Sequence, residues 1–120
     1  MSSLVQTMPH HFKLPGEWAL LCGREPLNER GLKSNHLQII FNNTSEPWSD
    51  DGPHAHASSD KVYIVLEGAM HIDINGVIAN VRAGEYLCVP AGTFHHLVNV
   101  EVPVKSFVIR GPSISDKVVR

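Results

Sequence analysis

The feature that most constrains this chain is the run over residues 69–82. Met70, Ile72 and Ile74 alternate with His71, Asp73 and Asn75. A period of two puts the apolar set on one face of a half-buried strand. Asn75-Gly76 follows at once, and residues 77–82 resume strand character. Asn-Gly between two such runs signals a hairpin, because both residues tolerate the positive φ that the tight turn needs. A chain built around this hairpin is predicted to be antiparallel β.

The remaining segments agree. Strands are expected at residues 17–22, 36–41, 61–66, 86–89, 94–100 and 104–110. They are punctuated by Pro15-Gly16, Gly52-Pro53, Gly68, Gly84, Pro90, Gly92 and Gly111-Pro112. Short strands with regular turns predict an all-β sandwich or barrel. Residues 23–35 read as a loop, and no helix is expected. A length of 120 residues fits one domain. Its barrel is expected to span about residues 17–111. The arms, roughly residues 1–13 and 113–120, are expected to fray or to dock onto a neighbouring subunit.

Composition narrows the partners. The net charge is -2 with no basic excess, so nucleic acid is not an expected partner. No apolar run approaches the roughly 18 residues that cross a bilayer. The N-terminal residues lack a signal-peptide core, and a cytoplasmic location is expected. Cys22 and Cys88 are too few and too far apart for a disulfide framework or a cysteine zinc site, and are expected as buried thiols. Eight histidines are the unusual feature, since imidazole is the commonest metal ligand and acid/base group.

His54 and His56 are one residue apart, so on a strand both point to one face and can reach one ion. About 0.5 such pairs are expected by chance from eight histidines, so the pair decides nothing alone. The second half is stronger. Gly84, Pro90, Gly92, His95 and Asn99 read G-x5-P-x-G-x2-H-x3-N. That pattern arises by chance on the order of once in 7,000 such chains. Pro90-Ala91-Gly92 makes a tight turn, and His95 then opens a strand whose inward side can meet His54 and His56.

These residues resemble motif two of the cupin superfamily at every fixed position. Motif one, G-x5-H-x-H-x(3 or 4)-E-x6-G, is matched by His54, His56 and Gly68, while Trp48 stands at its first glycine. The resemblance implies a jelly-roll barrel (a double-stranded β-helix) of two antiparallel sheets and pairing into a homodimer. It also implies a metal site of His54, His56 and His95. Family members usually add a glutamate, and at that position this chain has Lys61, with Asp60 just before it. Asp60 replaces the glutamate if the loop shifts by one residue; or the site holds three histidines only, as in cupins resembling thiol dioxygenases. In the third case Lys61 points inward, with Tyr63 and Val65, and repels a divalent ion.

Neutral imidazoles, with or without a carboxylate, suit zinc, iron, nickel, manganese or copper. Three protein ligands leave coordination open for a small-molecule substrate. The expected function is therefore a metalloenzyme, a dioxygenase or an isomerase/lyase, with Lys61 and Tyr63 as candidate catalytic groups. The alternative is a non-catalytic pocket that binds or senses a small ligand. His96 is expected on the opposite face from His95 and His71 on the surface, while His36 is a further candidate for the pocket. Tyr63, Tyr86 and Cys88 have the parity to reach the interior. Trp18 and Trp48 are expected as packing residues.

Overall fold

The computed structural model describes residues 9–25 and 30–120. Residues 1–8 of the expected N-terminal arm and residues 26–29 of the expected loop lie outside the described residues. Nine strands form among the described residues and no helix does: β1 (Ala19–Gly23), β2 (Leu32–Lys33), β3 (Gln38–Thr44), β4 (His54–His56), β5 (Asp60–Ile74), β6 (Val77–Arg82), β7 (Tyr86–Val89), β8 (His95–Gly111) and β9 (Lys117–Val119). No helix of the described residues is long and apolar enough to cross a membrane.

Two long strands organise the molecule. β5 and β8 pair along their lengths, from Asp60 opposite Gly111 to Ile74 opposite His95. The register shifts between Val65 and Ala69 and again between His71 and Ile72. Shifts of this kind bend strands, and here they divide one continuous sheet into two layers. In one layer β7 flanks residues 61–64 of β5, and β3 and then β1 continue beyond residues 104–110 of β8. In the other, β6 flanks residues 69–74 of β5, while β4 and then β9 continue beyond His95. This is the expected jelly roll of two antiparallel sheets, joined through β5 and β8. One parallel pair, β1 with β2, departs from the all-antiparallel expectation.

Local chemistry explains the sharpest features. Asn75 and Gly76 sit at φ 50° and 90° between β5 and β6, the positive values that a two-residue hairpin turn requires. Gly68 marks the bend of β5 at φ 75°. A Cβ there would lie 2.3 Å from the Glu101 carbonyl oxygen and 2.4 Å from that of Pro103. Only glycine lets the two strands approach so closely. The core between the layers is Tyr63, Val65, Met70, Ile72, Val81, Val89, Leu97, Val100, Val104 and Val108. Met70 and Ile72 belong to it, as their alternation predicts.

Two expectations are corrected. The C-terminal arm does not simply fray: within it β9 pairs with β4 of the same chain, placing Lys117 opposite His56 and Val119 opposite His54. Tyr86 and Cys88 are exposed. They lie opposite Ile64 and Val62 on the outer face of β5, so Leu87 and Val89 take the inward positions.

Candidate metal centre

Cross-strand register brings the site together in rows. Gln38 of β3, Arg110 of β8 and Lys61 of β5 are direct neighbours on one face. The next inward row is Ile40, Val108 and Tyr63, and the third is Asn42, Ser106 and Val65. Polar groups therefore crown an apolar interior on one layer. From the other layer, His54 of β4 lies directly opposite His95 of β8. The bend of β5 and β8 brings the crown and the histidines face to face, and Lys61 Nζ comes within 3.2 Å of His95 Nε2.

His54, His56 and His95 form one cluster, each offering a nitrogen within 4.8 Å of the others. His95 is 2% exposed and His54 6%. Each ring is held through Nδ1. His54 Nδ1 donates to the Gly52 carbonyl and His95 Nδ1 to that of Thr93, both at 2.9 Å, while His56 Nδ1 donates to Asp116 Oδ1 at 3.2 Å. A carbonyl or carboxylate oxygen only accepts, so Nδ1 carries the proton and Nε2 keeps its lone pair. Oxygen acceptors behind ligating imidazoles fix tautomer and aim in this way.

Burial, with help from nearby cations, keeps the rings neutral. Burial lowers His56 to about 4, aided by Lys61 and Arg110 and opposed by Asp116. Burial also lowers His95 to about 4, with Lys61 again adding to it. His54 is lowered chiefly by burial. Asp116 is buried too, yet its bonds from Ser59, the Ser58 N–H and His56 hold its carboxyl below the usual range. Arg110 Nη1 completes this support, 3.2 Å from Asp116 Oδ1 and 3.0 Å from the Ile114 carbonyl.

Three neutral imidazole nitrogens are a donor set that fits a divalent transition metal. Lys61 is the complication. It is the inward-pointing case of the three sequence alternatives, and its hydrogen bond uses the His95 lone pair that an ion would need. Burial brings its ammonium down to about 8, with Arg110 and Lys117 adding to the effect and Asp50 opposing it. Asp60, adjacent on the strand, faces the other way. It is exposed, and its Oδ1 accepts from the Ala91 N–H at 3.0 Å. The structure thus joins His54, His56, His95 and Lys61, and leaves Asp60 outside the cluster.

His54, His56 and Lys61 face a cavity of about 360 Å³, lined also by Trp18, Trp48, Gln38, Asn42, Asp50 and Tyr63, with His95 behind them. Lys61 Nζ stands 5.1 Å over the Tyr63 ring. Trp48 packs on the core as expected, while Trp18, 47% exposed, serves as cavity wall. His96 points away from the cluster and meets Asp50 at 3.2 Å. His71 lies outside, bonded to Asn80 and Glu101, and His36 is exposed. Asp116, Asp50 and Arg110 escape sequence reasoning. Asp116 reaches the site across 60 residues from His56, and Asp50 meets Leu97 across 47, although alternation along β3 would have aimed Gln38 and Asn42 inward with Ile40.

Comparisons with known proteins agree with this architecture. The family model described as Cupin domain matches residues 44–110, more than half of the chain. No curated protein matches the sequence. Among solved structures, Streptomyces PAC13 with uridine is 16% identical, with a TM-score of 0.62 over 76% of this chain and 74% of that one. That protein is a nucleoside dehydratase. KdgF from Halomonas sp. is 20% identical, with a TM-score of 0.57 over 66% and 72%. The DMSP lyase DddQ from Ruegeria pomeroyi DSS-3 is 16% identical, with a TM-score of 0.60 over 85% of this chain and 50% of that one. The shared fold and the family match, taken with motif two and its clustered histidines, lead to one conclusion: the chain belongs to the cupin family.

Proposed function

We propose that the protein is a metal-dependent enzyme of the lyase or isomerase type acting on a small organic substrate. The observation that carries this reading is the clustering of His54, His56 and His95, with Lys61 on His95, beside a cavity that His54, His56, Lys61 and Tyr63 line. His54, His56 and His95 would hold a divalent ion (zinc, iron, nickel, manganese or copper), which when bound supplies Lewis-acid stabilisation of negative charge developing on a substrate oxygen.

Lys61 is the proton carrier, because an ammonium near 8 gives up and regains a proton readily around neutrality. It donates a proton to a departing hydroxyl, which leaves as water with the C–O electron pair. The amine left behind takes a proton from the adjacent carbon, whose C–H pair becomes the new double bond. Tyr63, whose hydroxyl is pushed up by burial, stays protonated and offers a hydrogen bond to substrate. The fold likeness to a nucleoside dehydratase and a lyase supports elimination chemistry for this cavity.

A dioxygenase is the second reading. It is favoured by one observation, that Asp60 stands outside the cluster and leaves three histidines without a carboxylate. One experiment separates the two. Protein loaded with zinc, iron or manganese is incubated with a panel of small β-hydroxycarbonyl compounds, following new double-bond absorbance and oxygen uptake together. Absorbance without oxygen uptake is expected. Oxygen uptake moves the assignment to the dioxygenase. Folded, metal-loaded protein that turns nothing over would leave a non-catalytic ligand-binding pocket.

A further inference from the structure

The charges lining the cavity do not balance. Lys61 and Arg110 are direct cross-strand partners on the same face, an arrangement in which like charges repel. Lys117 lines the same cavity. Arg110 has a counter-ion in Asp116 at 3.2 Å. Lys61 has none: among the described residues no carboxylate comes within 4.0 Å of it, and its contacts are His95 Nε2 and the Tyr63 ring. Asp50 is the one carboxylate lining the cavity among the described residues, and both its oxygens are engaged. Oδ1 accepts from the Gly52 N–H and meets His96 Nε2, and Oδ2 accepts from the Leu97 N–H. Three cations and one engaged carboxylate therefore face this cavity, in a chain whose net charge is -2.

A cation drawn out of water without a counter-ion is costly, and an anionic ligand offsets that cost. The walls beside it are Trp18, Trp48 and Tyr63, which suit the apolar or planar body of a small molecule. We propose that the cavity selects small organic anions, carboxylates or phosphate esters: one N–H of the Lys61 ammonium draws in the anionic end, with Lys117 assisting, and another stays free for the departing hydroxyl. This deepens the reading above and rests on it for the cavity being the substrate site.

The test is direct binding, and the only two tryptophans of the chain, Trp18 and Trp48, both line the cavity and report on it. Fluorescence titrations compare benzoate, phenyl phosphate and the neutral benzamide, on chelator-treated and on zinc-loaded protein. At least one anion is expected to bind about tenfold more tightly than benzamide in both forms. The tighter of the two distinguishes a carboxylate substrate from a phosphate ester. In the chelator-treated protein Lys61→Met is expected to abolish the preference, and Lys117→Gln to reduce it about two- to threefold. Should Lys61→Met fail to fold, the salt dependence of the unmodified protein decides. Anion affinity is expected to fall severalfold from about 20 to about 300 mM salt, while benzamide binding stays unchanged.

Equal affinity for benzoate, phenyl phosphate and benzamide would overturn the proposal, as would a folded, chelator-treated Lys61→Met that keeps the preference. Zinc bound without anion preference would leave the metalloenzyme reading standing and remove this one. Anion preference without zinc binding would do the reverse.

Discussion

His95 and His96 are adjacent on β8, yet they belong to different regions of the molecule. On the inner face, His95 gives Nδ1 to a backbone carbonyl and turns Nε2 toward His54, His56 and Lys61. On the outer face, His96 gives Nε2 to Asp50, and His71 uses both ring nitrogens on Asn80 and Glu101. The residue type is the same and the neighbours are similarly polar. What differs is which nitrogen is left with a lone pair and whether other lone pairs converge on it. A histidine becomes a ligand when its second partner is behind it, and a structural hydrogen-bonder when its partners surround it.

The comparison breaks most sharply by deleting one member of each region. His95→Ala is expected to weaken metal binding about 1,000-fold or more, because three converging donors become two. His96→Ala is expected to leave it within about twofold. Competition with a metallochromic chelator measures both. Equal losses would erase the distinction between the faces.

Acid tests the same difference through stability. Metal-free His56 and His95 titrate at about 4 in the folded protein against 6.5 for a free side chain. Above about pH 6.5 they are neutral in both states and their full contribution is present. As pH falls below that, the unfolded chain binds protons that the folded chain refuses, and stability declines until about pH 4. Asp116, whose folded value is also depressed, adds a loss at still lower pH. The decline is expected to be on the order of 5 kcal/mol in urea unfolding between pH 7.5 and 4.5, about half of it from each ring. The His95→Ala variant should lose part of it and His96→Ala none.

The support behind the rings gives the next effect. Asp116→Asn is expected to weaken metal binding about 10- to 100-fold, since the carboxylate no longer strengthens and aims His56. The smallest effect runs the other way. Lys61→Met removes a cation and the competitor for the His95 lone pair, and is expected to tighten metal binding by up to about tenfold. Calorimetric titration with zinc reads both, and a weakened Lys61→Met would mean that the ammonium does not oppose the ion.

The sequence carried more of the fold than of the site. The Asn75-Gly76 hairpin and the bounds of β6 and β7 were legible because turn chemistry and alternation are local. The merging of residues 61–66 with 69–75 into one bent β5 was not. Gly68 reads as a break in sequence, whereas in the fold it is the point where β5 passes close to β8. The three histidines were legible from motif spacing, while the parity that Lys61 shares with Tyr63 left its inward position one of three alternatives, because a loop separates it from His56. Asp116 was not legible, because 60 residues separate it from His56 and nothing local marks it. Parity also misled at Tyr86 and Cys88: alternation says that neighbours differ in face, and only the register with β5 says which face is inside.

The central claim is that the inner histidines hold a metal ion. Its most direct test is the metal content of tag-free protein by elemental analysis, beside a His54→Ala, His95→Ala double variant. The account predicts close to one divalent transition metal per chain in the parent and none in the variant, with both folded. A parent that stays empty after loading at neutral pH, or a double variant that retains its metal, would contradict it.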